Sequence, residues 1–215
     1  MNLSKKSNNR KLFSTIVTLL FLQFYFGQEQ VAPQNKTLIK GNVLLAPIGL
    51  INLGVEKQIA PKFTLQAEVF VSPWKSFAGK YAQAYMGGID GRYYFREAMD
   101  GWYVGGNISF MYYKLQKWNY WNDNIFQLDK DTKPYIKNNL YQEGFAMVFG
   151  VVGGYQWKLS DRWKMDIYAG VGSSQGFYKG YDRISGDRYD GDENWNKSGE
   201  IIPYKGGVML SYQLK

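Results

Sequence analysis

The sequence contains no cysteine and no histidine. The first absence removes disulfides, thiolate metal sites, thiol nucleophiles and the lipidated cysteine of a bacterial lipoprotein. The second removes Ser-His-Asp and Cys-His catalysis, imidazole zinc sites and imidazole pH switches. Long apolar runs are scarce as well: one charge-free stretch, residues 12–26, stands out, and the mean hydropathy is −0.39. That average argues against a helical membrane protein and is silent about a β-barrel, whose strands each have only one apolar face. What is present is a hydrophobic fraction of 45% beside 20% charge, with aromatics at 18%. Such a balance excludes general disorder, and 215 residues suit one domain.

Lys5, Lys6, Arg10 and Lys11 precede the apolar stretch, and Gly27 and Gln28 follow it. A basic start and a short apolar core describe a secretory signal peptide, residues 1–27, cleaved near Gly27; the core is shorter than the ~20 residues of a spanning helix. Removing those four bases from 26 leaves 22 against 18 acids, so the net charge falls from +8 to +4. The case for a nucleic-acid partner falls with it. Residues 28–36 form a short polar spacer, expected in the periplasm, and residues 37–215 form the folded domain.

In that domain apolar residues recur with period two. Eight runs follow the pattern, around Ile39–Val43, Ile51–Val55, Phe63–Val71, Ile89–Phe95, Trp102–Phe110, Phe145–Trp157, Trp163–Val171 and Val208–Leu214. Tight turns rich in Pro, Gly and Asp are expected at residues 60–62, 97–101 and 160–162, with a bend near Pro47. Longer polar loops are expected at residues 75–83, 117–142 and 181–198. This alternation predicts an all-β fold, an eight-stranded antiparallel up-and-down transmembrane β-barrel, or ten strands if residues 118–140 hide a hairpin. The apolar face then meets lipid. The opposite face carries Lys40, Glu56, Glu68, Asp90, Arg92, Lys164 and Asp166, mixed charges expected to pair as a lumen network. Phe63, Trp102, Trp157 and Trp163 are expected in one interfacial aromatic girdle, and Trp74 and Tyr112 in the other. On this parity Val69→Arg is damaging and Gln66→Glu mild.

The segments Leu53-Gly54-Val55-Glu56, Gly91-Arg92-Tyr93-Tyr94-Phe95, Gly101-Trp102-Tyr103-Val104-Gly105, Gly154-Tyr155-Gln156-Trp157 and Asp161-Arg162-Trp163 resemble an uncharacterised, domain-of-unknown-function family of small outer-membrane β-barrels from Bacteroidetes, OmpA- and OmpX-like in architecture. The resemblance covers residues 36–215. It implies the fold and a place in the outer membrane of a Gram-negative cell, and it supplies no catalytic residue.

Chemical motifs have bland readings. Gly172-Ser173-Ser174-Gln175-Gly176 matches G-x-S-x-G, but a nucleophile elbow needs a strand-to-helix turn and a histidine. Asp182, Asp187, Asp190, Asp192 and Glu193 crowd one loop without the spacing of a calcium loop. Tyr112, Tyr113, Lys114, Lys117, Trp118, Tyr120 and Trp121 suit a girdle with lysines at lipid headgroups better than a base-stacking track. The glycine doublets 87–88, 105–106, 153–154 and 206–207 fit crowding inside a narrow barrel. The expectation is a non-enzymatic surface protein of the outer membrane, without cofactor or metal, with a structural, adhesive or partner-binding role through its loops. Its partners are outer-membrane lipid and lipopolysaccharide and another outer-membrane protein or complex. The alternatives are a soluble secreted or periplasmic lipocalin-like barrel binding an apolar ligand, and a narrow channel using the lumen charges.

Overall fold

In the computed structural model, residues 36–191 and 194–214 are described; the expected signal peptide and most of the spacer lie outside them, as do Asp192 and Glu193 of the acidic loop. Ten strands run in chain order: β1 (Thr37–Asn42), β2 (Ile51–Ala60), β3 (Phe63–Phe77), β4 (Lys80–Tyr94), β5 (Gly101–Leu115), β6 (Ile125–Phe126), β7 (Tyr135–Ile136), β8 (Leu140–Lys158), β9 (Trp163–Asp182) and β10 (Asn196–Gln213). Eight of them, all except β6 and β7, are antiparallel neighbours that close into a ring in the order β1-β10-β9-β8-β5-β4-β3-β2. The tract 118–140 does hold a hairpin, β6 with β7, but it forms a separate two-stranded sheet and adds nothing to the ring.

The register gives the ring its tilt. Followed strand by strand from Lys40, the pairs Gly54, Glu68, Gly88, Ser109, Val148 and Ser174 lead to Glu200 of β10, yet β1 pairs Lys40 with Ser211. The stagger between Glu200 and Ser211 includes one residue of a bulge at Pro203/Lys205. Over eight strands it corresponds to a tilt of about 40°.

Burial alternates along the ring's strands, least clearly on β10. On β2 the pattern puts Ile51, Leu53 and Val55 outside and Asn52, Gly54 and Glu56 inside. The outer wall exposes Ile39, Leu65, Val69, Ile89, Val104, Ile108, Phe149, Val151, Ile167 and Val171. The inner wall buries Lys40, Glu56, Gln66, Asp90, Arg92, Asn107 and Asp166. The apolar face therefore points out of the ring and the charged face into it.

Two expectations need correction. Residues 75–83 are no long loop: β3 and β4 run on to pair Phe77 with Lys80, leaving a two-residue turn at Ala78 and Gly79, both with positive φ (49° and 79°). Such a primed turn matches strand twist, so a polar, glycine-bearing stretch can be ladder almost to its tip. The last strands are also longer than the periodic runs, since β9 and β10 reach 20 and 18 residues. Their outer halves hold Gly172, Gly176 and Gly199 with several serines, which blunts the apolar signal without breaking the ladder.

Candidate functional site

The inner wall near the short turns converges on one ion-pair network. Lys40 Nζ lies 2.9 Å from Glu56 and 2.6 Å from Asp166. Arg92 reaches Asp90 at 2.9 Å, Asp166 at 3.2 Å and Glu56 at 3.7 Å. Lys205 Nζ joins Glu68 at 2.7 Å and Asp90 at 2.6 Å. Neutral donors complete it: Thr64 and Tyr94 hydroxyls each donate to Glu56 at 2.6 Å, Tyr103 to Asp166 at 2.9 Å, and the Gln66 amide to Glu68 at 3.0 Å. Tyr94 Oη also lies 2.6 Å from Gln156 on β8, so the network touches all eight strands of the ring. Charges this deep are tolerable only when each meets opposite charge and further donors, and each of the four carboxylates accepts from at least two groups.

Six of the seven expected lumen charges thus come together; Lys164 does not. Its ammonium instead donates to the Met99 carbonyl at 2.9 Å, outside the ion pairs. Met99 is fully buried with φ +67°, and the adjacent Ala98 N–H donates to Pro61 O at 2.8 Å, so the turn 95–100 folds across the short-turn mouth of the ring. The partner that sequence reading missed is Lys205. By alternation from Pro203, which pairs with the outward Val171, Lys205 belongs outside; the bulge inserts Tyr204, and Lys205 pairs with the inward Gly170. With it the buried set of lumen charges numbers four bases and four acids. The only signal in sequence was the phase change between Ile201 and the even run from Val208.

Away from the network the lumen changes character. Nearer the long loops the inward positions of β4 and β8 carry Ala84, Met86, Ala146 and Val148, all buried, and β9 offers Gly172, Ser174 and Gly176. The glycines here are space for rings. A Cβ on Gly150 would stand 2.7 Å from the Tyr204 ring, and one on Gly154 would stand 2.6 Å from the Tyr103 hydroxyl. In the doublets one glycine faces in and is hemmed while its neighbour faces out: Gly105 and Gly154 are crowded, whereas Gly106 meets nothing within 4 Å and Gly153 only Tyr103 O at 3.7 Å.

Five of the six expected girdle residues lie on the outer wall, in two groups; Trp74 is the exception, being in step with the inward Phe70 and Ser72 on β3 and opposite Ala82, so alternation puts it on the inward-facing parity at the rim. Near the short turns Phe63 meets Tyr93, Trp102 meets Tyr155 and Trp163 meets Tyr212, each with ring centroids 5.1 Å apart, and Trp157 adjoins Tyr155 at 6.0 Å. Toward the other end Tyr112 stacks on Tyr85 at 6.3 Å, and Trp74 lies by Phe77 while its indole N–H donates to Ile48 O at 3.1 Å. Between the groups, a depression of the outer wall of about 990 Å³ is floored by Gly91, Gly106 and Gly153.

The long loops pack on one another. Tyr189, 5% exposed, sits among Tyr120, Phe126 and Tyr135, with centroids 6.1, 5.3 and 6.5 Å away. Lys133 Nζ reaches Asp187 at 2.6 Å. Asp190 accepts from the Gly180 N–H at 2.6 Å and pairs with Arg188 at 3.0 Å, and Asp182 accepts from Ser185. Asp182, Asp187 and Asp190 are thus dispersed onto separate partners, and no cluster able to hold a metal occurs among the described residues. Around the aromatic cluster Trp118, Ile125 and Ile184 are 81, 69 and 74% exposed.

No curated protein and no solved structure matches the chain. A family model does, over residues 14–214, and the chain belongs to that family, described as "Protein of unknown function (DUF3575)".

Proposed function

We propose that the chain is an integral outer-membrane β-barrel whose long loops bind a partner outside the cell, after removal of residues 1–27 as a signal peptide. The observation that carries this reading is the orientation of the two faces. Ile108, Val151, Phe149 and Val69 stand about half-exposed at mid-strand while Lys40, Arg92 and Asp166 are buried. In water a continuous apolar wall of that size is an aggregation hazard; in lipid it is the anchor. The aromatic groups support the same reading. Trp102 and Tyr112 lie on the outward face of one strand, a separation of roughly 25 Å along the axis at the estimated tilt, against an apolar band of ~25 Å. A lipocalin-like barrel would need its apolar residues inside, the reverse of this arrangement. For a channel, the charges that would line the path are engaged with one another, and Met99 lies across one mouth.

The role of the loops rests on their exposed apolar residues, Trp118, Ile125 and Ile184, held by the Tyr189 cluster. Exposed aromatics on a fixed scaffold are the ordinary composition of a recognition surface. Alkaline carbonate washing of membranes tests the anchor: retention until detergent is added is expected, and release by carbonate alone rejects it. Co-purification from native membranes with and without residues 118–136 tests the loops: a protein recovered with both forms equally is not held by them.

A further inference from the structure

The ring is not equally high all round. Pairing between β1 and β10 ends at Asn42 with Met209, and one further bond runs from Val43 N to Val208 O. β2 starts at Ile51, opposite Val71. β10 continues from Gly207 to Asn196 with only β9 beside it, and β3 continues from Ser72 to Phe77 with only β4 beside it. On the bare side of β10 the Asn42 amide reaches Gly206 O at 3.2 Å, and the ladder stops there. The result is a notch two strands wide, roughly 10 Å, in the outer part of the wall. Its floor is the loop joining β1 to β2, which leans toward β3 through the bond from Trp74 to Ile48 O. By register the notch starts above the short-turn aromatics and extends up to the level of Trp74, inside the apolar band.

Two edges facing a gap usually invite another strand. Here the sequence works against that. Of the prolines in the described residues only Pro73 and Pro203 lie within strands, and they are on these two edges, with the bulge beside Pro203. A missing N–H and a broken register on each side mark edges kept free of a pairing partner. Yet a bare ladder cannot simply face hydrocarbon, so water or a ligand must meet these edges.

We propose that the notch is a lateral window through which a free fatty acid inserts its alkyl chain from the bilayer into the upper lumen. This rests on the membrane-spanning reading above. Three features fit that occupant. Behind the notch Phe70 and Ile202 point inward, paired with Met86 and Gly172, yet stay only half-buried, and Met86 and Val148 extend the apolar lining. Below it Lys205, Glu68 and Asp90 close the floor, so the chain stops where the charges begin. At the outer mouth Lys75 on β3 and Lys197 on β10 are exposed, one on each edge and neither in an ion pair among the described residues, which supplies positive charge for a carboxylate.

The test uses the full mature chain in phosphatidylcholine vesicles with palmitic acid carrying a mid-chain diazirine, irradiated and mapped by mass spectrometry. Adducts are expected on inward Phe70, Met86, Val148 and Ile202, as well as on outward Ile108 and Phe149 from bulk lipid contact. Adducts confined to the outward residues overturn the window and leave the membrane reading intact; absence of the outward adducts overturns the membrane reading itself. A two-chain phosphatidylcholine with the same diazirine is expected to mark only the outward residues, and inward labelling by it overturns the choice of a single-chain ligand. The double variant Lys75→Glu/Lys197→Glu changes exposed positions only, and should lower the inward yield about fivefold at low salt, less at high salt, without altering the outward yield. An unchanged inward yield overturns the placement of the carboxylate. Cross-linking of two copies through β10 would make a second copy the occupant instead.

Discussion

In the half of the ring near the short turns the inward positions carry Lys40, Glu56, Asp90, Arg92 and Asp166; in the half near the long loops they carry Ala84, Met86, Ala146, Val148 and several glycines. The first half is closed on all sides, with every strand contributing to one network, while the second is a six-strand wall with a gap in it. The difference teaches how a narrow ring divides labour. Charge pairing across the lumen fixes register and shape where all eight strands are present. Above it, buried Ala84, Tyr113 and Ala146 pack with Phe70, Met111, Leu115 and Tyr178, and tyrosine rings sit in the glycine gaps of the wall.

The sharpest way to break the comparison is to remove the group that joins most of the network. Arg92 faces Asp90, Glu56 and Asp166, so Arg92→Met leaves three acids undercompensated and should cost about 3–5 kcal/mol. Lys164→Met, in the same half but outside the ion pairs, should cost far less. Urea unfolding in detergent, read by the heat-dependent gel shift, measures both, and equal losses would show that the network is not the keystone. Next in size comes the outer wall, where Val69→Arg should cost ~2–4 kcal/mol on the proposal that this wall faces lipid. Gln66 donates to Glu68 from a fully buried site, so Gln66→Glu would replace a donor with a second carboxylate and is no longer expected to be mild; Gln175→Glu, on an exposed outward position of β9 near the loops, serves as the tolerant control.

Much of this was legible in the sequence, and the reasons it stopped being legible are local. Alternation is strict from Ile51 to Val71 because both faces have distinct partners there, so strand, parity and the inward acids Glu56 and Glu68 could all be read. It failed at Lys205 because a one-residue bulge exchanges the faces, and its only trace in the sequence is the shift of phase between Ile201 and Val208. It failed at residues 75–83 because a primed turn needs two residues and the flanking strands there have no apolar face to maintain. The pairing of Tyr189 with Tyr120 and Phe126, and of Tyr204 with Gly150, joins positions far apart in sequence and leaves no periodic trace.

The glycine doublets allow a finer cut between inner and outer faces. Gly105→Ala would push a Cβ to 2.5 Å from Gly91 O, backbone that cannot move cheaply, whereas Gly106→Ala meets open space. The inner change should cost about 1–3 kcal/mol by overpacking and the outer one should be near neutral. Comparable losses from both would mean that chain flexibility, not room, selects these glycines.

The smallest expected effect lies beyond the ring, where loop contacts are exposed to water and behave unlike the enclosed network. Asp187 is held below the usual carboxylate value of 3.8, first by the hydrogen bond from Lys133 and then by that from Ser185. Because the folded value is the lower one, the contact contributes above the ordinary carboxylate range and is lost as the pH falls through the depressed folded value. Both partners are exposed, so salt should weaken it strongly. Amide resonances of Lys133 and Asp187 should titrate together with a midpoint below 3.8, move toward that value in high salt, and lose the shared transition in Lys133→Ala. A midpoint at the ordinary value in low salt would mean that the two loops touch without holding each other, and that the Tyr189 cluster alone fixes the outer surface.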